Sequence, residues 1–243
     1  MSRPLFLLRD LPDSESVFLG GDEGRHAARV RRLGVGEQLD LGNGRGTVLT
    51  TTVTAVRPDG LQLWVEARRT EPVPDPRLVV VQALPKGERA EIAVEVLTEL
   101  GVDEIRPWSA ARSIAQWRDD KAVRSVQKWQ RTADEAAKQS RRAFIPAVAP
   151  LASTAQVATQ LAGAALALVL HEDADEPLTA LELPGEGDIV VVVGPEGGIS
   201  DDEVSRFAAA GARAVRLGGP VLRTSTAGAA ALAALSVRLG RWS

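Results

Sequence analysis

The chain's 243 residues suit one large domain or two smaller ones, and its 44% hydrophobic and 25% charged content excludes wholesale disorder and fibrous architecture. Without cysteine, and with His26 and His171 as the two histidines, disulfides, thiolate nucleophiles and Cys or His metal centres drop out, and no metal is expected. The net charge of −3 hides a segregation: Arg106 to Pro146 holds ten Lys or Arg against four acids (a local +6), Glu172 to Glu203 holds eleven acids and no Lys or Arg, and Arg25 to Arg32 holds four arginines and no acid.

From the N-terminus, Met1 to Asp10 has a four-residue apolar run and no small-residue cleavage site behind it, so no secretory signal is expected. The longest apolar stretch, Leu161 to Leu170, falls well short of the roughly 18 to 20 residues that cross a bilayer. A cytoplasmic protein without a membrane segment is the expectation. Runs rich in Val, Thr and Leu, at Gln38 to Leu41, Gly46 to Val56 and Leu61 to Ala67, are separated by Gly42-Asn43-Gly44 and Pro58-Asp59-Gly60 turns, which predicts a small β domain. Pro72, Pro74 and Pro76 mark a linker, dividing the chain into residues 1–72 and 73–243.

Beyond the linker, strands and helices alternate, which predicts an α/β domain with a largely parallel sheet. Leu78 to Leu84 reads as a buried strand, and Glu88 to Leu100 as a helix with Ile92, Ala93, Val96 and Leu97 on one face. A strand is predicted at Asp103 to Pro107, and a basic amphipathic helix from Asp119 to Ser140. Capping boxes at Ser153-x-x-Gln156 and Ser200-x-x-Glu203 open two further helices. Strands are predicted at Leu166 to Leu170, Ile189 to Val193 and Ala214 to Leu217, and an alanine-rich helix from Ser225 to Leu239 closes the chain.

Ligands of such sheets sit in loops at the carboxyl ends of the strands. Here the loops open with His171-Glu172-Asp173, Gly194-Pro195-Glu196-Gly197-Gly198 and Gly218-Gly219-Pro220-Val221-Leu222-Arg223-Thr224. Each taken alone is also an acceptable turn. The dinucleotide, P-loop and nucleophile-elbow signatures are all missing. The basic clusters suit phosphate recognition, although a single one is equally a solvated helix face.

At these loops Val193 to Gly198, followed by Leu217 to Thr224, closely resembles the methyl-donor site of the RsmE family, SPOUT-class enzymes that methylate N3 of a uridine in 16S ribosomal RNA. Lys86-Gly87-Glu88-Arg89, Glu99 to Val102, Glu135 to Arg142 with Pro146, and His26 with Val30 and Arg32 are similar to further motifs of that family in the same order. Two positions depart from it: Ser225 stands where the family commonly has Glu, and Arg141 where it often has Gly.

The resemblance implies an α/β fold: a C-terminal SPOUT-type trefoil-knot domain, a small N-terminal PUA-like β-barrel and a homodimer. It implies S-adenosylmethionine held by Leu170, His171, Gly194, Pro195, Glu196, Gly197, Gly198, Leu217, Gly218, Val221, Leu222, Arg223, Thr224 and Ser225. The 16S rRNA would be gripped by Arg25, His26, Arg29, Arg31 and Arg32, and by Lys86, Arg89, Arg112, Arg131, Lys138, Arg141 and Arg142. Arg142 first, and Arg223 second, would stabilise charge on the uracil oxygens as N3 loses its proton. A non-catalytic RNA-binding assembly module, or a methyltransferase of this class acting on another RNA, are the alternatives.

Overall fold

The computed structural model describes residues 3–87 and 89–242, so Glu88, the expected start of a helix, lies outside the described residues. Two compact units result. One comprises the chain up to Val73 with Ala137–Ile145; the other comprises Pro74–Ala136 and the chain from Pro146 onward. A single cut after residue 72 assigns Ala137–Ile145 to the second domain, whereas its contacts group it with the first unit. The physical reason is pairing: Phe144 bridges Arg45, the N–H of Gly46 donates to the Ala143 carbonyl, and Ala143 packs with Leu5 and Val48.

The first unit contains β1 (Leu5–Leu7), β2 (Ser16–Leu19), α1 (Gly21–Arg25) continuing into a π-helical turn at His26–Val30, β3 (Gln38–Gly42), β4 (Thr47–Arg57) and β5 (Gly60–Thr70). Its sheet runs β1-β3-β4-β5-β2, antiparallel except for the β1–β3 pair. Alternation sets the faces: Leu61 and Leu63 are buried while Trp64 points outward. Between β3 and β4, the Asn43 side-chain oxygen accepts from the N–H groups of Arg45 and Thr47, a side-chain substitute for backbone pairing in the turn. Gly60 is required sterically, because a Cβ there would stand 2.0 Å from the Leu19 carbonyl oxygen.

The second unit contains β6 (Arg77–Ala83), α2 (Arg89–Glu99), β7 (Glu104–Trp108), α3 (Asp119–Gln139, whose last residues count with the first unit), β8 (Ala147–Val148), α4 (Thr154–Ala162), β9 (Leu166–Leu170), β10 (Asp188–Val193), α5 (Asp201–Ala209), β11 (Arg213–Val215) and α6 (Thr224–Arg238). All strands pair parallel, in the order β11-β9-β10-β6-β7-β8. Both faces of this sheet are covered, which is why residues 78–81 of β6 and 189–193 of β10 read as continuous apolar runs. Val80, Val191 and Val193 face one core with Leu97, Trp129 and Leu232; Val79, Val81, Val190 and Val192 face another with Trp108, Val157 and Phe207. Both capping boxes form, at Ser153 with Gln156 and at Ser200 with Glu203. The strand expected to reach Leu217 ends at Val215, because Arg216 turns to pair with Glu176 to Leu178: its N–H donates to the Glu176 carbonyl, and its own carbonyl accepts from Leu178.

Candidate active site

Strands β9, β10 and β11 are parallel neighbours or next neighbours, so the loops at their carboxyl ends emerge on one edge of the sheet. Together they enclose a cavity of about 330 Å³. The β9 loop contributes Leu170 and His171, the β10 loop Gly194, Pro195, Glu196 and Gly198, and the β11 loop Leu217, Gly218, Val221, Leu222 and Arg223, with Thr224 from α6. All of these were expected from the sequence. Gly197 and Ser225, also expected, are not part of the lining. Gly197 instead packs against Arg112, whose Cβ would lie 3.1 Å from an added Cβ.

The lining also includes Glu172, Val193 and Pro220, which lie in the loops and motif the sequence singles out although none was named as a donor contact, and Ile199, Val215, Arg216 and Ala227, which sequence reasoning missed. A usable signal existed for most. Val193 and Val215 are the last residues of their strands, and Ala227 lies three residues beyond Thr224, on the same helical face.

The β10 loop is held from several directions. The N–H of Gly198 donates to the Pro195 carbonyl at 2.9 Å, and Gly198 has a φ of +73, the left-handed region that favours glycine. Glu196 Oε1 accepts from the Lys86 N–H at 3.2 Å, and Arg112 Nη1 donates to the Gly197 carbonyl at 3.4 Å. Gly194 sits so close to Ile199 that a Cβ would stand 2.7 Å from its Cγ1.

Beneath the loop, Glu203 is 4% exposed. Its Oε1 accepts from the Ala111 N–H at 2.8 Å and Thr154 Oγ1 at 3.0 Å; its Oε2 accepts from the Ser200 N–H at 3.1 Å and Ser200 Oγ at 2.9 Å. Burial opposes its charge, but the hydrogen bonds from Ala111, Ser200 and Thr154 outweigh that, so the carboxyl ionises below its ordinary value. An ionised side chain thus joins the start of α5, the start of α4 and the loop after β7.

His171 is half-buried, and its Nδ1 accepts from the Asp173 N–H at 3.2 Å, a local bond that shapes the β9 loop. Arg223 immediately precedes α6, its carbonyl accepts from the N–H groups of Thr226 and Ala227, and the residue lines the cavity.

The other basic residues divide between the units. In the first, Arg25 is paired with Asp22, His26 has its ring centroid 6.1 Å from that of Phe6, Arg29 donates to the Pro58 carbonyl, and Arg31 and Arg32 follow the π-helical turn. Lys138, expected to reach RNA, has its Nζ 2.7 Å from Glu23 Oε1 with its side chain 14% exposed, so its charge is met within the protein. Arg141 adopts a φ of +56, and the Arg142 N–H donates to the Ala137 carbonyl. In the second unit, Lys86, Arg112 and Arg131 are exposed and Arg89 is half-buried. Arg223 therefore joins the cavity, whereas Arg142 belongs to the other unit.

Residues 72–236 match the family model described as RNA methyltransferase domain, and residues 19–65 match that described as RNA methyltransferase PUA domain. The chain is 45% identical to a ribosomal RNA small subunit methyltransferase E of Mycobacterium tuberculosis, covering 98% of this chain and 93% of that protein. It is 28% identical to the protein of that name from Bacillus subtilis, over 94% and 92% of the two chains. Among solved structures, a ribosomal RNA small subunit methyltransferase E from Neisseria gonorrhoeae bound to S-adenosyl methionine superposes with a TM-score of 0.87 at 28% identity, covering 100% of both chains. A putative methyltransferase from Legionella pneumophila, in complex with the same cofactor, superposes with a TM-score of 0.85 at 27% identity, covering 98% of both chains.

Proposed function

The chain belongs to the RNA methyltransferase family that includes ribosomal RNA small subunit methyltransferase E, and from that premise we propose that it methylates N3 of a uridine in 16S ribosomal RNA, with the cavity of the β9, β10 and β11 loops as its donor site. Its activity is S-adenosylmethionine-dependent methylation of small-subunit ribosomal RNA, carried by an α/β SPOUT-type knot domain and a PUA-like β domain. The observation that supports the donor site is the convergence of three loops, distant in sequence, on one cavity.

The lining fits such a donor. Leu170, Val193, Leu217 and Leu222 supply an apolar surface for a purine and a thioether-like chain, and Gly194 and Gly218 leave backbone N–H and C=O groups uncovered. Glu172 and Glu196 suit its cationic groups, and Arg216 and Arg223 suit its carboxylate. When bound, S-adenosylmethionine supplies an electrophilic methyl group on a sulfonium sulfur.

Uracil N3 is a poor nucleophile while protonated, and negative charge spreads to the flanking oxygens as the proton leaves. Arg142 or Arg223 is assigned the stabilisation of that charge, since a guanidinium stays ionised and offers a planar fork of donors. For the same reason neither takes the proton, which passes to solvent water as the methyl group moves from sulfur to N3. Bases within a duplex are out of reach, so the uridine is unpaired or flipped out. Arg25, Arg29, Arg31 and Arg32 in one unit, and Lys86, Arg89, Arg112 and Arg131 in the other, would contact phosphates. On α3, Lys121, Arg124, Lys128 and Arg131 recur at steps of three and four residues, one helical face, and all are exposed, with Lys128 paired to Glu91. Among the described residues no helix is long and apolar enough to cross a membrane; action in the cytoplasm, as a homodimer, completes the proposal.

Calorimetric titration of S-adenosylmethionine into the wild type and Gly218→Trp tests the site. Gly218 lines the cavity and is exposed, and a Cβ there meets nothing within 4 Å among the described residues, so a bulky side chain can be added at the lining without a clash at its first carbon. Saturable binding to the wild type that the variant loses supports the assignment; equal binding by both refutes it. Incubating 16S rRNA, free or within the small subunit, with labelled donor and identifying the product nucleoside as 3-methyluridine or another isomer tests the target atom.

A further inference from the structure

Strand β6 is buried and apolar through its centre except at Gln82, which is 1% exposed. The residue stands in register with Val193, the last residue before the Gly194 loop, on one side and with Pro107 on the other. Its Nε2 donates to two backbone carbonyls, Ala83 at 3.1 Å and Thr224 at 3.3 Å. Two acceptors fix which way the amide points, because only its nitrogen can donate. Its Oε1 is buried with no hydrogen-bond partner among the described residues. An orphaned acceptor between strands is a penalty that leucine or methionine, of similar volume, does not carry. The use of the amide therefore lies in what its nitrogen holds.

Thr224 is the first residue of α6 and lines the cavity with its chain neighbours Leu222 and Arg223. No side chain caps this helix start. Further along α6, a Cβ on Gly228 would lie 3.2 Å from Val193 Cγ2 and 3.6 Å from Val80 Cγ1, so close packing sets the distance between helix and sheet. Packing of that kind leaves sliding and rotation of the helix end unspecified; a directional bond to the Thr224 carbonyl specifies both. We propose that Gln82 is a positioning residue for the methyl donor, holding the start of α6 so that Leu222, Arg223 and Thr224 keep the cavity in its binding shape. Gln82 is not itself part of the lining. The inference rests on the cavity being the donor site.

The test compares wild type, Gln82→Met and Gln82→Glu by calorimetric titration with S-adenosylmethionine, steady-state kinetics and thermal unfolding. Methionine keeps length and burial and removes the donors; the dissociation constant and the donor KM are expected to rise together by about tenfold with kcat nearly unchanged, the loss of one specific hydrogen bond. Glutamate carries a sharper signature. As a neutral acid it can donate its O–H to the Thr224 carbonyl, whereas as a carboxylate it faces carbonyl oxygens with no donor. Neither hydrogen-bond partner titrates, and neither do Val193 and Pro107 in register. Relative to the wild type at the same pH, the affinity of Gln82→Glu should therefore approach unity in acid and fall as pH rises through the acid's burial-raised titration, a ratio that cancels the titration of His171, Glu172 and Glu196 in the lining shared by both proteins.

Unchanged affinity in Gln82→Met, with or without a lower melting temperature, makes Gln82 a packing residue and overturns the proposal, as does a wild-type pH profile in Gln82→Glu. If Gln82→Met does not fold, the pH comparison decides. Failure of the wild type to bind S-adenosylmethionine overturns the donor-site reading and this inference with it, an outcome distinguishable from failure in the variants alone.

Discussion

Replacing Glu203 by glutamine is expected to destabilise the second unit by an amount that can be worked from its four hydrogen bonds. Each carboxylate oxygen serves one backbone N–H and one hydroxyl: Ala111 N and Thr154 Oγ1 on one, Ser200 N and Ser200 Oγ on the other. The amide of glutamine replaces one oxygen by an NH₂. A hydroxyl can turn and accept from it, but a backbone N–H cannot, so either orientation orphans one N–H. Thr154 Oγ1 already accepts from Trp108 Nε1 at 3.2 Å, which restricts even the hydroxyl on that side. One unsatisfied donor costs about 1–3 kcal/mol, and because Ala111 is exposed and Ser200 half-buried, water can reach the orphan and the lower half of that range applies. The corresponding fall in melting temperature is roughly 2–8 °C for a chain of this size.

Denaturant unfolding followed by tryptophan fluorescence is the assay, with buried Trp108 as a probe beside the Thr154 to Glu203 bond. The sign with pH follows from the lowered carboxyl titration. Glu203 contributes stability that is fully present above the unfolded-state value of about 4.3 and is lost as pH falls through the lower folded-state value. The gap between wild type and Glu203→Gln should be level at neutral pH and close in acid below that value. A gap that widens in acid, or no gap at pH 7, refutes the reasoning.

Gly194→Val forces a side chain into the 2.7 Å space before Ile199; overpacking of about 1–3 kcal/mol and loss of donor binding are expected, while Gly219→Ala, where a Cβ meets nothing within 4 Å, should change neither melting temperature nor affinity. Arg124→Gln and Arg131→Gln should each lower the slope of log binding constant for 16S rRNA against log salt by about 0.7–0.9. Lys138→Gln, already paired with Glu23, should leave that slope nearly unchanged and lower thermal stability instead. Arg142→Lys should reduce kcat for methyl transfer by about a hundredfold if the fork stabilises the developing charge, with donor affinity by calorimetry unchanged; an unaltered kcat removes Arg142 from that role.

Legibility from sequence followed the range of the interactions involved. The capping boxes at Ser153 and Ser200 and the apolar runs of β6, β9 and β10 are local patterns, and the elements lie where those patterns place them. Strands β1, β2 and β8 were missed; with three, four and two residues, they exist by pairing with distant partners rather than by a pattern of their own. The same holds at the site. Glycine-rich loops announced Gly194 and Gly218, and the strand-end rule brought them together. That Gly197 turns to Arg112, that Glu203 reaches Ala111 and Thr154, and that Lys138 meets Glu23 are contacts between residues tens of positions or more apart, which no spacing rule encodes.

The three walls of the cavity hang from strands of unequal anchorage. Strands β9 and β10 lie inside the sheet with a neighbour on each side; β11 has three residues, lies at the edge and, among the described residues, pairs with β9 alone. Beyond it, Arg216 is tied to Glu176 and Leu178, and the backbone then runs free of regular pairing to α6. Opening the third wall breaks a handful of bonds, whereas opening the other two means dismantling the interior of a sheet, so local unfolding is cheapest there. On the donor-site proposal, the donor would be exchanged as through a door with one hinged leaf: amides of 213–223 should trade hydrogen for deuterium first, and bound donor should slow them most, while those of β10 report the lifetime of the whole unit.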